Sequence, residues 1–165
     1  MSRARRRRAK SPPRRGAPKK GKIMEEKNYD SLRLKNQLCF PLYAASREIM
    51  RKYTPILKKL NLTYTQYIVM MVMWEHKSLK VGEISKQLYL DTGTLSPLLK
   101  SMEEKGLLQR MRDKNDERVV TITITPAGEA LQDRALSVPE EMGKCMSLTP
   151  EEAKSLYGIL YKLIG

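Results

Sequence analysis

Two short amphipathic stretches separated by almost no chain constrain this sequence more than any other feature. Val81 to Leu88 carries Ile84 and Leu88 at helical spacing, and Thr92 to Lys105 carries Leu95, Leu98, Leu99 and Met102. Only Tyr89-Leu90-Asp91 lies between them, and Lys105-Gly106 supplies a C-terminal stop. Two short helices across a tight turn outline a helix-turn-helix, whose second helix is suited to a DNA major groove.

The next segment narrows the fold. Leu107 to Arg112 has the composition of a strand, Asp113-Lys114-Asn115-Asp116 is turn chemistry, and Val119, Thr121 and Thr123 alternate with Val120, Ile122 and Ile124. This is a β-hairpin with a charged tip. A helix-turn-helix followed at once by such a hairpin is a winged helix, and Lys114, Asp116 and Arg118 at the tip are placed to reach backbone or minor groove. A generic surface hairpin is the competing reading. The expected fold class is mainly α with a small β-hairpin wing, the winged helix-turn-helix occupying about residues 55–125.

The flanks read as helices. Pro41 is tolerated only in a first turn, so a helix should start near Cys39 or Phe40, with Leu42, Ala45, Ile49, Met50 and Tyr53 following at helical spacing. Thr54-Pro55 is expected to end or kink it, leaving a short amphipathic piece from Ile56 to Leu60. Thr63 with Gln66 three residues on signals a capping box for a helix bearing Ile68, Val69, Met71, Val72 and Trp74, where the methionines read as core rather than as a cofactor site. Two helices should finish the chain: Thr125-Pro126 supplies an N-cap with proline at the first position, and Thr149-Pro150-Glu151-Glu152 a full capping box. The last helix sets Leu156, Ile159, Leu160 and Leu163 on one side. Residues 31–54 and 126–165 are therefore expected to form a dimerisation bundle of terminal helices, an inference from layout.

Charge separates one region from the rest. Eleven of the 32 basic residues fall in residues 1–23 with no acid among them, leaving 21 basic against 18 acidic groups in residues 24–165. The 1–23 segment has too few apolar residues to offset chain entropy and is expected to be a disordered basic tail. Two readings of it stand: non-specific contact with nucleic acid phosphates, or an extension upstream of a true start at Met24. Its basic start is not followed by an apolar stretch, so no signal peptide is expected. The longest apolar run, Tyr67 to Trp74, falls short of the ~18 residues of a membrane helix. Two cysteines are too few for a disulfide scaffold, and with neither a signal-peptide pattern nor a membrane-length apolar run, a cytoplasmic protein without membrane contact is expected. His76 lies among polar residues beyond Trp74 and reads as a solvated helix-end residue, so no metal site, cofactor or histidine-assisted enzyme chemistry is expected.

Several motifs in order and spacing resemble the MarR family of winged-helix repressors. They are Leu90-Asp91-Thr92-Gly93-Thr94-Leu95-Ser96-Pro97-Leu98-Leu99-Lys100, Glu103-Glu104-Lys105-Gly106-Leu107, Asp116-Glu117-Arg118 and Thr125-Pro126-Ala127-Gly128. Leu38-Cys39-Phe40-Pro41-Leu42-Tyr43-Ala44-Ala45-Ser46-Arg47 further resembles the OhrR-type branch, which senses organic hydroperoxides through a cysteine. The resemblance spans about residues 31–163, with one departure at Lys80, where many members place a Ser or Thr helix cap.

The resemblance implies a homodimeric repressor, not an enzyme, that binds double-stranded pseudo-palindromic operator DNA and releases it on oxidation by an organic hydroperoxide. It implies Cys39 as the peroxide-reactive residue, with Tyr43, Tyr53 and Tyr64 shaping the thiol pocket, some from the partner subunit. Thr92, Thr94, Ser96 and Lys100 would lie on the recognition helix, Arg118 would enter the minor groove with Asp116 orienting it, and Cys145 would be a resolving cysteine.

Chemistry bears on Cys39 independently: a thiol reacts with peroxide as thiolate, a helix N-terminus favours that form, and Pro41 locates the N-terminus. Tyrosine hydroxyls donating to the sulfur would favour it further. The competing readings are a buried structural cysteine at 39 and simple packing at 145. Within the same fold, the alternative is a repressor released by a small phenolic or apolar ligand.

Overall fold

The computed structural model describes residues 28–116 and 118–165; the basic tail expected over 1–23 lies outside them. Residues 28–37 hold two single turns of 3₁₀ helix, Asp30–Leu32 and Leu34–Asn36, tied by an Arg33–Asp30 ion pair at 2.9 Å and a bond from Asn36 Nδ2 to the Asp30 carbonyl at 2.7 Å. The terminal bundle therefore does not begin as α-helix at residue 31.

From Leu38 onward seven α-helices and three strands follow: α1 Cys39–Lys58, α2 Tyr64–His76, β1 Ser78–Lys80, α3 Val81–Leu88, α4 Thr92–Glu104, β2 Leu108–Arg112, β3 Val120–Ile124, α5 Pro126–Ala135, α6 Val138–Cys145 and α7 Pro150–Ile164. α1 starts at Cys39 as expected but runs on through Pro55. Proline removes one helical hydrogen bond and costs about 3 kcal/mol in a helix interior. The following turn buries Ile56 and Leu57, each worth about 1.5–3 kcal/mol, so packing overrides the local break.

The sheet also exceeds expectation. Instead of a lone hairpin it has three antiparallel strands in the order β1-β3-β2, with Leu79 opposite Ile122 and Ile122 opposite Arg110. The C-terminal region likewise holds three helices rather than two. Leu136 closes α5, and Pro139 in the first turn starts α6 as a separate element.

Local signals place the remaining ends. Thr63 Oγ1 accepts from the Gln66 amide at 3.3 Å while Gln66 Oε1 accepts from the Thr63 amide at 3.1 Å, completing the capping box of α2. Thr149 and Glu152 do the same for α7. Lys80 heads α3 without a side-chain cap of its own, and Glu83 compensates by accepting from the Lys80 amide at 2.8 Å. Gly106, with φ of +73°, turns the chain out of α4.

The core gathers Leu57, Met70, Met73, Ile84, Leu95, Leu99, Met102 and Ile122, all fully buried, from α1 to α4 and the sheet. Gly128 admits no side chain, because an added Cβ would lie 2.3 Å from the Leu107 carbonyl oxygen. Its own carbonyl accepts the Trp74 indole N–H at 2.9 Å, which ties α2 to α5. This core fixes α4 against the sheet, and with it the side that α4 shows to solvent.

Candidate nucleic-acid interface and thiol site

α4 buries Leu95, Leu99 and Met102, so at 100° per residue its opposite side carries Gly93, Pro97, Lys100 and Glu104. Thr92 and Ser96 lie on the flank and line an open groove of about 570 Å³ between α3, α4 and the hairpin. Thr92, Thr94, Ser96 and Lys100 are all exposed. The Thr94 hydroxyl, however, is committed: Asp91 accepts it at 2.6 Å and the Thr94 amide at 2.8 Å, capping α4. These two bonds, the hydroxyl's first, hold the Asp91 carboxyl below the usual carboxylate range. Ser96 Oγ donates to the Thr92 carbonyl at 2.6 Å.

Around the groove the charge is mainly positive. Lys80, Lys86, Arg110 and Arg118 line it, with Glu83 the acid among them. Three of these, Lys80, Lys86 and Arg110, are not marked as functional by the sequence motifs. For Lys86 a signal exists, since it stands two residues from the buried Ile84 and therefore on the outer side of α3. Arg110 has none, because its direction depends on the pairing of β2. Glu103 reaches from α4 to accept the Arg110 amide at 2.9 Å and lies 3.8 Å from its guanidinium, locking the helix to the strand. Arg110 Nε is buried with no partner among the described residues.

At the hairpin tip Asp113 accepts the amides of Asn115 and Asp116 at 2.8 and 3.2 Å. Asp116 accepts the backbone amide of Arg118 at 3.0 Å. The described contact between Asp116 and Arg118 is thus to the main chain, which shapes the tip and leaves the guanidinium exposed to the groove.

The thiols lie on α1 and α6. Cys39 is the first residue of α1 and is exposed. One turn on, Tyr43 accepts a bond from Arg47 Nη1 at 3.0 Å, and the guanidinium sits 5.7 Å from its ring centroid. Tyr53 and Tyr64 pack together at 4.8 Å between centroids, next to Tyr67 at 6.1 Å from Tyr53. Burial first, then the neighbouring Tyr64 and Tyr67, push the Tyr53 phenol up. The structure unites Tyr53 with Tyr64 but does not bring them to their own Cys39. Tyr53 is fourteen residues along the same helix, about 21 Å at 1.5 Å per residue.

Cys145 ends α6, and its carbonyl accepts Lys52 Nζ at 2.6 Å. Lys59 pairs with Glu141 at 2.8 Å beside it, so α6 is held along the second half of α1; Lys59 is also the leading cause of a lowered Glu141 carboxyl. Lys52 lies about 20 Å along α1 from Cys39. Even allowing for the full reach of the lysine, the two cysteines of one chain stand beyond the ~7 Å Cα separation that a disulfide tolerates.

Among the described residues no group of three His, Cys, Asp or Glu side chains could hold a metal, and no helix is long and apolar enough to cross a membrane. His76 ends α2, with its Nε2 3.2 Å from the Gln87 amide nitrogen.

Residues 51–134 match the family described as transcriptional regulator SarA/Rot. The chain is 45% identical over 139 residues to the organic hydroperoxide resistance transcriptional regulator of Bacillus subtilis (strain 168), covering 84% of this chain and 95% of that protein. Among solved structures it is similar to reduced AbfR bound to DNA, with a TM-score of 0.67 at 34% identity over 81% of this chain and 94% of that one. Disulfide-formed AbfR aligns with a TM-score of 0.58 at 35% identity, over 82% and 95%. A mutant MarR from E. coli, complexed with operator DNA, shares the fold with a TM-score of 0.67 at 24% identity, over 78% and 94%. A helix-turn-helix, a three-stranded wing and agreement along nearly the whole of these relatives lead to one assignment: the chain belongs to the SarA/Rot-type MarR-family winged-helix transcriptional regulators.

Proposed function

We propose that this regulator is a homodimeric repressor that binds pseudo-palindromic operator DNA and lets it go when an organic hydroperoxide oxidises Cys39. The observation that carries this reading is the division of the thiol site. Cys39 opens α1 beside Leu38, Phe40 and Leu42, all exposed, while Tyr53, packed on Tyr64, lies about 21 Å along the same helix. A second copy can supply to Cys39 what its own chain cannot. α7 supports the pairing, because this fifteen-residue amphipathic helix buries none of its residues in a single chain. The similarity to a regulator named for organic hydroperoxide resistance, and to a relative solved in reduced DNA-bound and disulfide forms, agrees with it.

On DNA, each α4 would enter a major groove with Gly93, Pro97 and Lys100 leading and Thr92 and Ser96 alongside. Arg118 would reach the flanking minor groove, and Lys80 and Lys86 would meet phosphates at the groove between them. Thr94 serves this arrangement through the cap it makes with Asp91.

Oxidation proceeds in two balanced steps. The Cys39 thiolate attacks the outer oxygen of the hydroperoxide, the O–O bond breaks, and the alkoxide leaves and takes up a proton to become an alcohol, leaving a sulfenic acid. The thiol of Cys145 from the other subunit then attacks the sulfenic sulfur, a disulfide forms and water departs. Because α6 is tied to α1 through Lys52 and Lys59, that bond would pull one subunit's helices toward the other and shift the two α4 helices relative to successive grooves.

One equivalent of cumene hydroperoxide should turn the protein into a covalent dimer on non-reducing electrophoresis and release operator in a mobility-shift assay, both reversed by thiol reductant. Cys39→Ser should stay on DNA under peroxide. Cys145→Ser should release DNA without a covalent dimer and recover poorly, as Cys39 advances to the sulfinic acid. Release of Cys39→Ser by peroxide would overturn the reading. Release of reduced protein by a small phenolic compound alone would favour ligand control instead.

A further inference from the structure

The geometry points to Arg47 as a positioning residue for Cys39 that acts through the hydroxyl of Tyr43, an inference that rests on Cys39 being the peroxide-reactive thiol. Cys39, Tyr43 and Arg47 are spaced by four along α1 and form one ridge on its surface. Long side chains on a helix lean toward its N-terminus, so Arg47 reaches back over Tyr43, and Tyr43 back over the turn that holds Cys39. The first of these steps is visible in the 3.0 Å bond from Arg47 Nη1 to the phenol oxygen and in the 5.7 Å approach of the guanidinium to the ring.

Arg51, one turn further on, shows what an ordinary surface arginine does here. Its Nε and Nη2 both donate to Glu48, at 2.9 and 2.8 Å, and the pair neutralises itself. Arg47 makes no ion pair among the described residues, and its side-chain bond goes to Tyr43. Its charge is therefore directed onto the phenol rather than onto a carboxylate.

A hydroxyl that accepts from a cation retains its own hydrogen for donation, and polarisation by the cation strengthens it as a donor. The acceptor next along the ridge is the sulfur of Cys39. A phenol proton turned toward that sulfur would favour the thiolate, in addition to the effect of the helix N-terminus. The ridge belongs to one subunit, so its effect would add to what Tyr53 and Tyr64 of a second copy supply.

The test is a double-mutant cycle on the full-length reduced protein. Alkylation of Cys39 by iodoacetamide is followed by mass spectrometry of its peptide across pH, in wild type, Arg47→Met, Tyr43→Phe and the double variant. Arg47→Met should slow alkylation at pH 7 roughly three- to tenfold, the span of one hydrogen bond, and displace the pH profile upward. In the Tyr43→Phe background the same change should have no further effect. Equal slowing in both backgrounds would make Arg47 a through-space charge and overturn the relay, as would the absence of any slowing in wild type. Retention of peroxide release by Cys39→Ser would instead strike at the redox reading, while the alkylation rates would still decide whether Arg47 acts through Tyr43.

Discussion

From Leu95 to Ile124 the chain closes on itself, and from Pro150 to Ile164 it does not. In the first stretch Leu95, Leu99, Met102 and Ile122 are fully buried, the Glu103 bond to Arg110 ties α4 to β2, and β2 pairs with β3. In the second, Ile159 and Leu163 are 58% and 63% exposed although they sit on the apolar side of a well-capped helix. Both regions are amphipathic by sequence. The difference is that the recognition half finds its partner surface within the chain, whereas the terminal helix has an apolar side in search of one. A capping box settles that α7 is a helix, but it says nothing about what the helix packs against.

The strongest way to break this contrast is to empty the closed half. Leu99→Ala should cost about 2–5 kcal/mol and lower the urea midpoint accordingly, since Leu99 is fully buried on the inner side of α4. A cost well under 1 kcal/mol would mean that the recognition half is not self-sufficient.

The open half should respond in the reverse sense. Ile159→Asp combined with Leu163→Asp puts charge where a single chain already meets water, so helicity should hold while the proposed self-association weakens about a hundredfold or more. Sedimentation velocity would read this as a shift from dimer to monomer mass. An unchanged dimer would assign the interface to other surfaces, such as the exposed Leu38, Phe40 and Leu42 at the start of α1.

What the sequence discloses, and what it hides, follows the same division between local and distant causes. Thr63, Thr125 and Thr149 are readable as caps or helix starts because each acts within three residues. The α3–α4 pair and the hairpin are legible because periodicity and turn chemistry coincide there. Pro55 reads as a break and is not one, since the burial of Ile56 and Leu57 that outweighs it is tertiary. β1 escapes a reading of the sequence because three residues cannot show alternation; its existence depends on β3 offering an edge. At the sites, the residue numbers come from resemblance, whereas the distance between Cys39 and Tyr53 and the commitment of the Thr94 hydroxyl to Asp91 need the folded chain. Lys80 and Arg110 are ordinary surface residues in sequence and become groove lining only when α3, α4 and β2 meet.

A substitution in the hairpin tip sharpens the contrast on the functional side. Arg118→Ala should weaken operator binding by about 1–3 kcal/mol per affected site, with dimer mass and urea midpoint unchanged, because its guanidinium is exposed and its described bond to Asp116 is made by the backbone. Fluorescence anisotropy on an operator duplex measures it. Full operator affinity would remove the hairpin from the interface.

The smallest expected effect concerns the cap that holds the recognition helix. Asp91 has its carboxyl lowered in the folded chain, chiefly by the Thr94 hydroxyl and amide. A depressed folded value means that the carboxylate's contribution is present above the unfolded value and is lost as pH falls through the folded one. Urea midpoints measured from pH 7 down to pH 3 should therefore decline, with Asp91 supplying part of the slope alongside Glu48 and Glu141, whose carboxyls are lowered in the same direction by Arg51 and Lys59. Asp91→Asn keeps a side-chain oxygen able to cap the Thr94 amide but has no proton to gain. Its midpoint at pH 7 should stay close to wild type while the fall toward pH 3 becomes shallower. Thr94→Val, which leaves the carboxylate only the amide, should bring the pH profile nearer to that of Asp91→Asn. Identical slopes in all three proteins would show that the bonds around Asp91 set the direction of α4 without contributing to its stability.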